Sequence, residues 1–187
     1  MREIIAMLPE LFKSEDRVNI LRYISERKEV SVQSTAKGTG VSKPVVSRYL
    51  NMLIEKGMCE RTGRSIAWKQ SPVGIAARRL LNIVFLDEHL TFSAWAKGIG
   101  MYGSFARGTN TMESDLDIWI LVETYYQDLE FKIAELQHDL SHTLGIEVHT
   151  LLLTKEKLSD LARKDAPFYQ EFMRDQVVIR GAGLDKA

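Results

Sequence analysis

Gly103-Ser104-Phe105-Ala106-Arg107-Gly108, followed after five intervening residues by Ser114-Asp115-Leu116-Asp117, is the stretch on which the reading of this chain turns. Ile99 to Tyr102 read as a strand, Gly103-Ser104 as a turn, and a short helix is expected to begin near Phe105. Backbone N–H groups at such a turn and helix start point outward and hold phosphate oxygens. Gly103 lets the backbone approach closely, and the Ser104 hydroxyl can donate one more hydrogen bond. A second strand is expected over Asp115–Glu123, on which Asp115 and Asp117, two apart, face one side. Leu116, Ile118, Ile120 and Val122 then face the core. Paired carboxylates on one face are oxygen ligands for Mg²⁺. Arg107 reads as a phosphate contact or a surface charge. Trp119 shares the aspartates' face, as a half-buried sheet residue or a wall for a stacking base.

Outward from this stretch, Gly98, Gly100 and Gly103 spell G-x-G-x-x-G, a dinucleotide-binding pattern that requires a strand before its first glycine. Ser93 to Lys97 offers no strand-like run, so the match is read as accidental. Tyr125 to Leu144 is expected to be a long helix ended by Gly145, with a strand over Ile146–Thr154. Glu147 and His149 lie on one face of that strand, alongside Leu151. His138 and His142 have i, i+4 spacing on the helix, but without an evident third ligand they read as a solvated face. Lys155 to Arg180 reads as one or two helices and a final strand, Val177 to Arg180.

From Gly103 to Ile120 the chain resembles the signature of the nucleotidyltransferase superfamily that includes DNA polymerase β and the small, minimal nucleotidyltransferases. The signature is a glycine–serine turn, a second glycine (Gly108) and an S-D-x-D pair (Ser114, Asp115, Asp117) opening a strand. The likeness extends over roughly residues 92–183. It implies an NTP held by Gly103, Ser104, Arg107, Gly108 and Ser114. It also implies Mg²⁺ or Mn²⁺ on Asp115 and Asp117, two such ions about 3.5–4 Å apart being the usual arrangement. The superfamily's third carboxylate, both ligand and base, is usually an Asp on a neighbouring strand, and that Asp is missing. Glu147 is the candidate to complete the catalytic and metal set, with His149 as the alternative. Small members of the superfamily modify proteins, antibiotics and RNA ends, and some are antitoxins that nucleotidylate a toxin.

The first half has a different character. Residues 3–13 read as a helical segment, Ser14 as an N-cap, and the next helix carries Val18, Ile20, Leu21 and Ile24 as its apolar stripe. Glu29 to Val32 reads as a short strand, and Ser34 to Lys37 as one or two helical turns broken by Gly38 and Gly40. Ser42 caps a longer helix with Pro44 in its first turn and Val46, Leu50, Leu53 and Ile54 at helical spacing. Its other face presents Lys43, Ser47, Arg48 and Asn51. Gly57 ends it, and Cys59 to Ser71 reads as two strands about Thr62-Gly63-Arg64. This order resembles a winged helix-turn-helix domain. The resemblance implies Lys43, Ser47, Arg48 and Asn51 near base edges, with Arg61, Arg64 and Lys69 on the DNA backbone. A protein-binding or dimerising domain is the alternative.

Charge divides the same way. Residues 1–90 hold 15 Lys and Arg against 10 Asp and Glu, and residues 91–187 reverse those numbers, so a formal net charge of zero hides a basic half and an acidic one. With 45% hydrophobic and 27% charged residues the composition is that of a globular protein. The single cysteine, Cys59, excludes an internal disulfide and a Cys-based zinc site, in keeping with a cytoplasmic setting. No run is apolar enough for a membrane span, and the opening residues do not read as a signal peptide.

The expectation is an α+β chain: a winged helix-turn-helix domain over 1–71, a connecting helix over 72–91, and a nucleotidyltransferase domain over 92–187 with a mixed sheet flanked by helices. The connecting helix has apolar Ile75, Leu80, Ile83, Val84 and Leu86. The expected activity is Mg²⁺-dependent transfer of an NMP from NTP to a hydroxyl of a protein or RNA acceptor, with DNA bound by the first domain. The alternative is a DNA-binding transcriptional regulator whose second half only senses NTP or dimerises. A homodimer is the default for such a winged helix.

Overall fold

A computed structural model describes residues 9–91 and 94–186 and divides the chain into two compact units, Met1–Arg78 and Arg79–Ala187. The expected first helix, 3–13, lies partly outside the described residues; its described end, 9–11, is helical.

The first unit is three helices and a hairpin. Helix α1 (Glu15–Ser25) starts where Ser14 Oγ accepts from the Arg17 N–H, and it buries Ile20, Leu21 and Ile24. Helix α2 (Val32–Thr39) is longer than the turns expected, because Ser31 and Ser34 close a reciprocal capping box before it. Gly38 does not break it: the Tyr23 ring lies where a Cβ would stand, so the glycine serves close contact. Gly40, at φ 73°, ends it. Helix α3 (Lys43–Glu55) buries Val46, Tyr49, Leu50 and Leu53, and the Tyr49 hydroxyl donates to the Leu11 carbonyl at 2.8 Å. The expected strand over 29–32 is reduced to one bridge, Val30 to Ile66. Strands β1 (Cys59–Thr62) and β2 (Ser65–Trp68) pair antiparallel about Gly63. Buried Cys59 has its thiol pushed up to about 12 by desolvation, which makes it a core residue rather than a nucleophile.

Helix α4 (Pro72–His89) follows. Its burial departs from the apolar reading: Leu86 is buried, whereas Leu80 and Val84 are each 46% exposed. Asn82 is buried in their stead for a reason given below.

The second unit is a four-stranded mixed sheet in the order β5-β4-β3-β6. Strand β3 (Gly98–Tyr102) pairs antiparallel with β4 (Leu116–Leu121) and with β6 (Val177–Gly181), while β4 and β5 (Val148–Leu153) run parallel. The parallel pair is joined by helix α6 (Asp128–Leu144), which ends at Gly145 with φ 67°. Both faces of the sheet are covered. On one, Leu116, Ile118 and Ile120 meet Leu86, Leu129 and Leu140. On the other, Trp119, Leu121 and Leu153 meet Leu158 of α7 (Lys155–Lys164) and Phe172 of α8 (Ala166–Asp175). Trp119 is therefore fully buried, not half-buried, and it offers no stacking wall to a base. No helix among the described residues is long and apolar enough to cross a membrane.

Candidate active site

The site forms at the end of β3 where the chain turns into the five-residue helix α5 (Gly103–Arg107). Gly103 has φ 67°, a conformation that L side chains rarely adopt, and a Cβ on it would run into Asp117 Oδ2. The same register sets Tyr102 opposite Asp117. Turn and carboxylate thus touch through a position that only glycine can fill. Like any helix, α5 has no intrahelical partners for its leading N–H groups, the kind of donors that suit a phosphate. Its other end is secured by a residue that sequence reasoning missed. Asn82, 5% exposed, donates from Nδ2 to the Phe105 carbonyl and to Asn110 Oδ1, each at 2.8 Å. The signal was present as an asparagine inside an apolar helix stripe.

Gly108, at φ 72°, caps α5. Ser114 Oγ accepts from the Thr111 N–H at 2.9 Å, so in this structure it braces the loop that delivers Asp115. Asp115 is exposed and Asp117 half-buried. Burial pushes the Asp117 carboxyl above the ordinary carboxylate range; Asp115 adds to the shift, while His149 and Arg107 oppose it.

Parallel pairing of β4 with β5 brings the third strand's residues to this edge. Asp117 lies beside His149 in register, and Leu116 N–H donates to the Glu147 carbonyl at 2.9 Å. His149 Nε2 lies 3.4 Å from Asp115 Oδ2 and 3.6 Å from Glu147 Oε1. Ligand atoms of Asp115, Glu147 and His149 all fall within 4.8 Å of one another, and among the described residues no other trio of His, Cys, Asp or Glu does so. His142 instead lines a separate pocket of about 300 Å³ with His89 and Asp139.

Arg107 is already engaged. Its Nη1 donates to Asp175 Oδ2 at 3.1 Å and to Glu171 Oε1 at 3.3 Å, both on α8. These residues belong to a pocket of about 220 Å³ that also includes Tyr102, Gly103, Asp117, Phe168 and Phe172. Phe168 and Phe172 stack at 5.9 Å, and Tyr102 meets both edge-on. The aromatic wall was not foreseen, since it depends on α8 folding back over the sheet.

In the first unit, Lys43, Arg48, Asn51, Arg61, Arg64 and Lys69 are exposed and Ser47 half-buried. Arg61 of the wing donates to Asn51 Oδ1 of α3 at 2.8 Å, which joins two of the expected DNA contacts.

Residues 85–172 match the model of the nucleotidyltransferase domain, and residues 14–60 match that of bacterial regulatory proteins of the arsR family. The chain joins a helix-turn-helix domain to a nucleotidyltransferase domain. The nucleotidyltransferase match spans the glycine–serine turn, both aspartates, Glu147 and His149. Such a domain implies an NTP and a divalent metal in general terms, and the carboxylate and imidazole donors gathered at this edge suit a divalent cation. A solved structure described as "Crystal structure of the toxin-antitoxin with AMP-PNP" is 19% identical, with a TM-score of 0.36 over 57% of this chain and 74% of that one. No curated protein matches the chain.

Proposed function

We propose that the chain is a nucleotidyltransferase that moves a nucleoside monophosphate from an NTP to a hydroxyl group on a macromolecular acceptor, with its helix-turn-helix domain bound to DNA. One observation carries this reading: the Gly103 turn touches Asp117, so a triphosphate on the turn lies against the carboxylates that hold its counter-ions. Gly103 and Ser104 hold the phosphates, Gly108 and Ser114 shape the loop around them, and Asp115 and Asp117 would hold Mg²⁺ or Mn²⁺. A divalent cation bound there would neutralise the phosphates and stabilise a departing pyrophosphate. The acceptor oxygen bonds to the α-phosphorus as the α–β bridging bond breaks, and Glu147 receives the hydroxyl proton. Positioning and charge neutralisation supply most of the rate, as in other phosphoryl-type transfers. Arg107 ties α8 to the turn, so that Phe168 and Tyr102 wall the nucleoside, and a phosphate reaching Arg107 competes with Glu171 and Asp175.

On the first domain, Lys43, Ser47, Arg48 and Asn51 face the bases, with Arg61, Arg64 and Lys69 on phosphates. The Arg61–Asn51 bond favours this arrangement by fixing the wing against α3.

The deciding experiment supplies each α-³²P-labelled NTP with Mg²⁺ or Mn²⁺ and a lysate of the source cells, the Asp115→Ala/Asp117→Ala double variant serving as blank. A labelled protein or RNA that vanishes with the variant is the expected result. NTP binding without labelling points instead to a DNA-binding regulator whose second unit senses nucleotide.

A further inference from the structure

We infer that Asp115, Glu147 and His149 form a mixed imidazole–carboxylate site selective for a first-row transition-metal ion over Mg²⁺. The inference deepens the reading of this edge as a cation site and rests on it.

The geometry is that of a chelate. Bonds of about 2.1 Å from one ion to two donors put those donors roughly 3.0 Å apart at a right angle and roughly 3.4 Å apart at the tetrahedral angle. His149 Nε2 stands 3.4 Å from Asp115 Oδ2 and 3.6 Å from Glu147 Oε1, so each of these pairs already has nearly the span of two ligands on one ion, and all three donors lie within 4.8 Å of one another. The three side chains are exposed, at 50% for Asp115, 69% for Glu147 and 48% for His149, so an ion can enter from solvent and keep waters in its remaining positions. The convergence follows the backbone: parallel pairing of β4 with β5 places His149 in register, and Asp115 and Glu147 directly precede the first paired residues, Leu116 and Val148.

The donor set then decides the ion. Mg²⁺ sheds its waters reluctantly and is held by oxygen, whereas an imidazole nitrogen raises affinity along the transition series and discriminates against Mg²⁺. An all-carboxylate edge has no such bias. Here one of three donors is nitrogen, and it is the central one, within reach of both carboxylates.

The test titrates Mn²⁺ alone into the full-length, metal-free protein and reads pulsed EPR, with Mg²⁺ as competitor. A nitrogen coupling to bound Mn²⁺ is expected, lost in His149→Gln together with at least a tenfold fall in Mn²⁺ affinity. His149→Asp, with three carboxylates, is expected to bind Mn²⁺ without the coupling and to yield it to at least tenfold less Mg²⁺ than the parent does. Circular dichroism checks that each variant is folded. Bound Mn²⁺ without a nitrogen coupling, or a coupling that survives in His149→Gln, overturns the assignment and leaves His149 as an ordinary ion-pair partner. No nucleotide enters the measurement. Failure of the labelling experiment therefore leaves this site standing, and absence of the coupling leaves the transferase reading standing.

Discussion

Gly100 and Trp119 are register partners in neighbouring strands, and a Cβ on Gly100 would come within 2.5 Å of the indole ring. The Val177 carbonyl crowds the same point from β6. Gly98 is crowded likewise by Ala182. The first two glycines of the G-x-G-x-x-G pattern are thus sheet residues that make room for a tryptophan and a bulged strand, and the third alone belongs to the site. Gly100→Ala is expected to cost about 1–3 kcal/mol by overpacking. Urea denaturation of the two proteins checks it, and an unchanged midpoint would remove the account of why glycine stands there.

Asp117 sets stability against activity. Its carboxyl titrates high because burial disfavours the charge, so the folded state holds the proton more firmly than the unfolded chain does. The ionised group then costs stability at neutral pH, and the cost fades as pH falls. Asp117→Asn is expected to melt a few degrees higher than the parent in EDTA while losing nucleotide transfer by roughly a hundredfold or more. Calorimetry and the labelling assay read the two effects separately. A lower melting temperature in EDTA would contradict the sign.

Asp175 has the opposite sign. The hydrogen bond from Arg174 holds its carboxyl below the ordinary range against the effect of burial, and Arg107 adds to the lowering. Such a group contributes stability above its unfolded pKa and loses that contribution as pH falls through its folded one. Asp175→Asn is expected to be weaker by on the order of 1 kcal/mol at pH 7, the gap closing below roughly pH 4. Denaturation at pH 7 and pH 3 distinguishes this from a pH-independent loss, which would assign the effect to shape rather than charge.

For the first domain, Arg61→Ala removes the brace on Asn51 and, on the proposed mode of DNA binding, is expected to remove one phosphate contact as well. The slope of log affinity against log salt is expected to fall by about 0.9, the value for one phosphate contact on duplex DNA. Asn51→Ala should leave that slope alone and weaken discrimination between sequences. Equal slopes for parent and Arg61→Ala would place the wing off the DNA.

Legibility followed sequence distance. The turn and both aspartates fall within 15 residues, from Gly103 to Asp117, so their types and spacing carry the chemistry without any knowledge of the fold. Helical periodicity likewise exposed α1 and α3. Trp119 was misjudged because alternation along a strand reports two faces but not whether something covers the second, and here α7 and α8 do. Arg107 was left open because its partners lie 64 and 68 residues away. The strand expected over Ile146–Thr154 is observed only over Val148–Leu153, so Glu147 stands just before it, and its meeting and that of His149 with Asp115 needed the parallel register, which neither strand's own pattern contains.

That register also bears on how such a site can change. Positions two apart on β5 share a face and are separated by about 6.6 Å along the strand. Glu147 directly precedes β5 and His149 lies within it, and both bring a donor atom to Asp115. A donor can therefore migrate along this strand by ordinary point substitutions, each step two residues long, with the backbone unmoved. This chain holds a donor at both stops at once, so either can be replaced singly while the other still faces Asp115.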